Sequence, residues 1–156
     1  MKKLLNKIFK LKGSSDFIAK GFALGSFIGM LPFPGLQWGI AMACAALFKV
    51  HKGAAVIGVF NTNFSTGLLI FGFNFWLGKK ILGLEINFTL PDVLDSSYAK
   101  TIWNAGLDVF LSLLVGGVVM GVIAAFLGYR VLKYVIDKRR MKHAEVLVDT
   151  IDVNEE

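Results

Sequence analysis

The side chains able to do chemistry within the apolar stretches of this 156-residue sequence are few: Gln37, Asn61, Thr62, Asn63, Ser65, Thr66, Asn74 and one acid, Asp108. None stands at a spacing that pairs a nucleophile with a base, two carboxylates with each other, or a set of ligands with a metal ion. Cys44 is the single cysteine, so no internal disulfide and no cysteine cluster for zinc can be built. His51, flanked by Lys49 and Lys52, reads as a surface residue, and Asp108 as a helix-end acid, with a proton or cation role as its alternative. The expectation is a protein that is not an enzyme and carries neither metal nor cofactor.

What the polar residues can do instead is serve two breaks in the chain. Leu31-Pro32-Phe33-Pro34-Gly35 interrupts the most apolar region and frees backbone carbonyls and amides there. Asn61-Thr62-Asn63-Phe64-Ser65-Thr66 interrupts the next apolar block with amide and hydroxyl groups. Unsatisfied backbone groups are costly in hydrocarbon, so both breaks must face protein, water or each other. Two readings follow. In one, broken helices meet near the midplane and form a polar site for an anion, an anionic lipid or a small solute, carried by Pro32, Pro34, Gly35, Gln37, Asn61, Asn63 and Thr66. In the other, the side chains cap the exposed helix ends and only close the fold.

The elements that would position these residues are membrane helices. With 55% hydrophobic and 18% charged residues the chain is too apolar for an ordinary soluble domain. Four apolar blocks run over 17–31, 36–50, 54–77 and 102–136. The first two, as helices of some fifteen residues, reach about 22 Å, short of the roughly 30 Å hydrocarbon core. They fit a re-entrant pair that turns at Pro32 to Gly35, or a short tilted hairpin of two full spans. The predicted fold is therefore an all-α integral membrane protein with a re-entrant or short helical hairpin plus two spanning helices, the first broken at Asn61 to Gly67.

Residues 1–15 predict a basic amphipathic segment, with Leu4, Leu5, Ile8, Phe9 and Leu11 on lipid and Lys2, Lys3, Lys7, Lys10 and Lys12 toward headgroups. The membrane domain covers 16–136, with an interfacial loop over 79–100 and the last span over 102–136. Leu90-Pro91-Asp92 resembles a helix start, and Tyr98 and Trp103 suit an aromatic belt. A basic and then acidic cytoplasmic tail takes 137–156, its acidic end frayed.

The net charge of +6 falls in blocks that flank the apolar spans, which places both termini and the turn Lys49 to Lys52 on the cytoplasmic side. These charges carry no recognition motif, so nucleic acid is not an expected partner. Gly21, Gly25 and Gly29 recur every fourth residue, as do Gly117, Gly121 and Ala125. Such flat faces let helices approach closely in lipid, within one chain or across a homodimer seam.

The run from Gly21 to Gly83, with its G-x-FIG-x-LP-x-PG pattern at Gly25 to Gly35, its small-residue helix, its basic turn and Asn63-Phe64-Ser65-Thr66, resembles the domain of unknown function 2062, a family of small bacterial membrane proteins. The family commonly has proline after that asparagine, where this chain has Phe64. The resemblance implies a bacterial inner-membrane location and no assigned activity. Some members are joined to glycosyltransferase-like domains, which implies work near envelope assembly. The expected function is a small transporter-like or lipid-handling membrane protein, the alternative a structural or accessory module that supports an envelope or glycosyl-transfer partner. The expected partners are the bilayer, a second copy of the chain and a membrane-associated protein.

Overall fold

The computed structural model describes residues 11–33, 35–60, 64–85 and 96–154, excepting the side chains of 64–66, 68, 96–105 and 143–154. These residues form five α-helices and no strand: α1 Ser15–Gly29, α2 Gln37–Leu47, α3 Lys52–Val59, α4 Phe64–Leu82 and α5 Ser96–Asn154. The longest, α5, is the spine. Helices α1 and α4 each pack along it, α3 packs on α1, and α2 rests on α3 and α1.

Local chemistry explains most of the boundaries. Ser14 caps α1, its hydroxyl accepting from the Phe17 amide at 3.2 Å, and Asp16 places negative charge in the first turn. The helix stops at Gly29 because Pro32 follows, and the backbone turns through Gly35 at φ +86° before α2 begins. At the other end of α2 the Val50 amide donates to the Ala45 carbonyl and the Lys49 amide to that of Ala46. This Schellman closure requires a left-handed residue, supplied here by Lys49 at φ +52°. His51 then caps α3, its Nδ1 accepting from the Ala54 amide at 3.1 Å.

The third apolar block is two helices, α3 and α4, divided where the polar tract is expected to break it. α4 runs on through Lys79 and Lys80 to Leu82, so the expected loop at 79–100 begins later, at Gly83. The acidic end, expected to fray, is helical through Asn154 because α5 continues unbroken for 59 residues, about 88 Å at 1.5 Å per residue. Of the amphipathic segment expected over 1–15, the first ten residues lie outside the described residues, as does the Leu90-Pro91-Asp92 start; residues 11–14 are not helical, and Leu11 packs against the cluster of Ile18 and Ala54 instead of facing lipid.

Among the described residues one helical stretch, Gly106–Lys142, is long and apolar enough to cross a membrane. Its most apolar window is 22% buried, so most of its apolar side chains face outward and not into a core. Val122, Phe126, Leu127 and Val131 on α5 face outward, as do Trp38 and Leu47 on α2 and Leu69 and Trp76 on α4. The buried core is made of small clusters. One joins Ile18, Ala54, Leu132 and Ile136, and the other joins Ile28, Ala41, Ala45, Ala55 and Val59.

Candidate functional site

The end of α1 and the two residues after it present carbonyls at the break, and two amide side chains reach them, while the Leu31 carbonyl also accepts from the Phe33 amide at 2.9 Å. Gln37, in the first turn of α2 and 8% exposed, donates from Nε2 to the Leu31 carbonyl at 2.6 Å and to the Gly29 carbonyl at 3.3 Å. Asn74, fully buried on α4, donates from Nδ2 to the Met30 carbonyl at 3.0 Å. Three consecutive carbonyls at the break are therefore occupied by side chains, and a helix 44 residues away in sequence is tied to it.

Glycines make these contacts reachable. A side chain at Gly117 would meet the Met30 carbonyl at 2.6 Å, and one at Gly116 would overlap the Asn74 carbonyl. On the facing turn of α4, a Cβ at Gly78 would overlap the Ser112 carbonyl. The same close approach recurs where α1 crosses α3: Gly25 lies against Ala55, Gly21 against His51, and Gly58 against Phe22. Gly121 faces Phe27. Such backbone contact is how helices gain van der Waals and Cα–H···O attraction where the surrounding solvent is itself apolar.

Of the residues expected to form a polar site, Gln37 lies at the break with its amide turned onto the chain's own carbonyls. Pro32 is half-buried and Gly35 exposed, with open space around its Cα. Pro34, Asn61 and Asn63 lie outside the described residues, as does the side chain of Thr66. Gly29 is buried and gives its carbonyl to Gln37. Asn74 is the residue that sequence reasoning did not assign to the break. A signal for it existed in its four-residue spacing to Gly78, which places an amide on the close-packed face of α4. Ser112 and Gly116 on α5 have the same spacing.

Among the described residues, three buried side-chain oxygens meet no protein partner: Ser26 Oγ, Asn74 Oδ1 and Ser112 Oγ. Beside the break, Pro32, Phe71, Gly106, Val109, Phe110 and Leu113 line an open apolar cleft of about 340 Å³, and Phe33 meets Phe110 edge to face at 6.2 Å. No group of acids, histidines or cysteines able to hold a metal occurs among the described residues.

Charge is divided between the two ends of the molecule. Ile18, Ala54, Leu132 and Ile136 pack together, so the start of α1, the α2–α3 turn and the stretch of α5 around Leu132 and Ile136 meet at one end. Lys12, Lys20, Lys49, Lys52, Lys133 and Arg140 gather there, among others. The end where α4 finishes has Lys79, Lys80, Glu85 and, early in the apolar part of α5, Asp108. At the basic end Asp16 bridges the helices, accepting from the Tyr129 hydroxyl at 2.7 Å while pairing with Lys20 at 2.6 Å. Those two partners, Lys20 foremost, hold its carboxyl below the usual range. The Arg140 guanidinium donates to the Gly13 carbonyl at 2.7 Å.

A family model described as an uncharacterised protein conserved in bacteria (DUF2062) matches residues 1–145. Neither a curated protein nor a solved structure matches the chain.

Proposed function

The chain belongs to the DUF2062 family of bacterial proteins, and from that premise we propose that it is a structural or accessory module of the cytoplasmic membrane, acting through what it positions and not as an enzyme. The observation that carries this reading is the closed break. The carbonyls of Gly29, Met30 and Leu31 are held by Gln37 and Asn74, so the groups that a broken-helix transporter would turn toward a solute are here turned inward. The glycine crossings around that joint leave the backbones in contact.

The outward apolar surface and the one helix able to cross support a membrane location. In the proposed topology α5 spans and α4 crosses beside it. Helices α1 and α2, of 15 and 11 residues, measure about 22 and 16 Å and enter without spanning. The basic end then faces the cytoplasm, as the positive-inside rule requires, and both termini lie there.

Two measurements test the reading. Alkaline carbonate extraction should leave the protein in the membrane pellet. Purified protein reconstituted in vesicles should move neither labelled phospholipid between leaflets nor sugar phosphates across the bilayer. Transport by the native protein that Gln37→Ala or Asn74→Ala abolishes, in variants that still fold, would refute the closed-joint reading in favour of a transporter-like one.

A further inference from the structure

Three cation–aromatic pairs follow one another between Phe126 and Lys138 on α5. Arg130 lies 5.1 Å from the Phe126 ring centroid, Lys133 lies 5.8 Å from that of Tyr129, and Lys138 lies 5.8 Å from that of Tyr134. Each pair is spaced four residues apart, so the ring supports the stem while the cationic head stays at the apolar–polar boundary. Tyr134 and Val131, both more than half exposed, show that this part of the helix has apolar surface facing out between the cations.

A second observation comes from a different element. Lys49 is the one described residue other than glycine with positive φ, and it closes α2 in the position where glycine would be free of strain. A left-handed backbone strains any L-residue, because Cβ crowds the following carbonyl oxygen. What lysine supplies there and glycine does not is an exposed cation, and Lys52 adds another three residues later. Both stand at the end where Ala54 packs on Leu132 and Ile136, beside the α5 pairs.

We infer that this end of the molecule is a binding surface for anionic phospholipid, with Lys49, Lys52, Lys133 and Lys138 directed at the headgroup phosphate and the outward residues of α5 at the acyl chains. The inference rests on the membrane reading above and adds the partner. Charge complementarity selects the occupant: a phosphate-bearing headgroup meets prepositioned cations, and only a lipid also covers the apolar surface between them. Among the described residues the opposite end has one such pair, Lys80 at 5.4 Å from the Trp76 ring, in a neighbourhood that includes Glu85. It is therefore an internal comparison rather than a second site.

The experiment is native mass spectrometry of the full chain in nonionic detergent, offered equal amounts of phosphatidylglycerol and phosphatidylcholine, with glycerol phosphate as a headgroup-only arm. The native protein should retain phosphatidylglycerol in clear excess and bind glycerol phosphate poorly. Lys133→Gln with Lys138→Gln should lower that preference about tenfold. Lys49→Gly should lower it too while raising the unfolding midpoint, a divergence that a purely structural Lys49 would not produce. Lys79→Gln with Lys80→Gln should leave the preference unchanged. Equal retention of the two lipids, or an equal loss from substitutions at either end, overturns the inference. A protein that resists carbonate extraction yet ignores the headgroup sinks this inference alone, whereas extraction of the native protein sinks the membrane reading beneath it.

Discussion

The α1–α3 and α4–α5 crossings use one device to different ends. At the first, Gly21, Gly25 and Gly58 bring backbones together among Ile28, Ala55 and Val59, and the His51 amide donates to the Phe17 carbonyl at 3.4 Å, so the joint is made by backbone fit and a bond between backbones. At the second, Gly78 and Gly116 give the same proximity, but Asn74 and Ser112 are buried inside it, and Asn74 reaches out to Met30. Glycine supplies nearness at both. The amide adds register at the second, because only one sliding position of α4 places Nδ2 on that carbonyl. The comparison shows how an apolar chain with little hydrophobic drive between helices can still specify one arrangement.

The comparison breaks most visibly at the glycines. Gly25→Ala and Gly116→Ala should each cost about 3 kcal/mol, since the new methyl group overlaps a backbone carbonyl that cannot move aside. Gly39→Ala, where nothing lies within 4 Å, should be neutral or stabilise α2 by up to about 1 kcal/mol. Thermal unfolding in detergent measures all three, and equal losses at Gly25 and Gly39 would contradict the joint made by backbone fit.

The polar difference gives the next largest effect. Asn74→Leu should cost about 2 kcal/mol by leaving the Met30 carbonyl without a donor, and Ser112→Ala should cost almost nothing because its hydroxyl meets no protein partner. A comparable loss from both would mean that the α4–α5 crossing is held by backbone fit, like its counterpart. Gln37→Leu should fall between them, about 1–2 kcal/mol, and should act on the break without touching α4.

The smallest effect belongs to the exposed bridge at the basic end, which lies on neither crossing. Asp16 has a folded pKa below its unfolded one, so its stabilising contribution is present above the unfolded value and is lost as pH falls through the lower folded value. The unfolding midpoint should therefore hold from neutral pH down to the carboxylate range and decline below it. Asp16→Asn should remove part of that decline. Salt should weaken the effect, because the pair with Lys20 is open to solvent.

Much of the helical frame was legible. The stop at Pro32, the turn through Gly35, the basic reversal at Lys49 to Lys52 and the apolar length of α5 all follow from residue type, because backbone restriction and apolar run length act locally. The division of the third block into α3 and α4 showed in its polar tract. The persistence of α5 to Asn154 did not show, since the change from apolar to basic to acidic side chains marks a change of surroundings and not of backbone.

The site was less legible for a reason of distance. Residues near the break in sequence, Gln37 above all, could be associated with it; Asn74, 44 residues from Met30, could not. By itself the sequence determined the apolar character, the family, the helix-breaking residues and the small-residue faces, because each is a property of one short stretch. Tertiary structure alone decided which faces meet, that Asn74 reaches the Met30 carbonyl, and that three separate basic segments share one end. Those outcomes depend on how helices far apart in the chain approach one another, and close approach through glycine is satisfied only once both partners are in place.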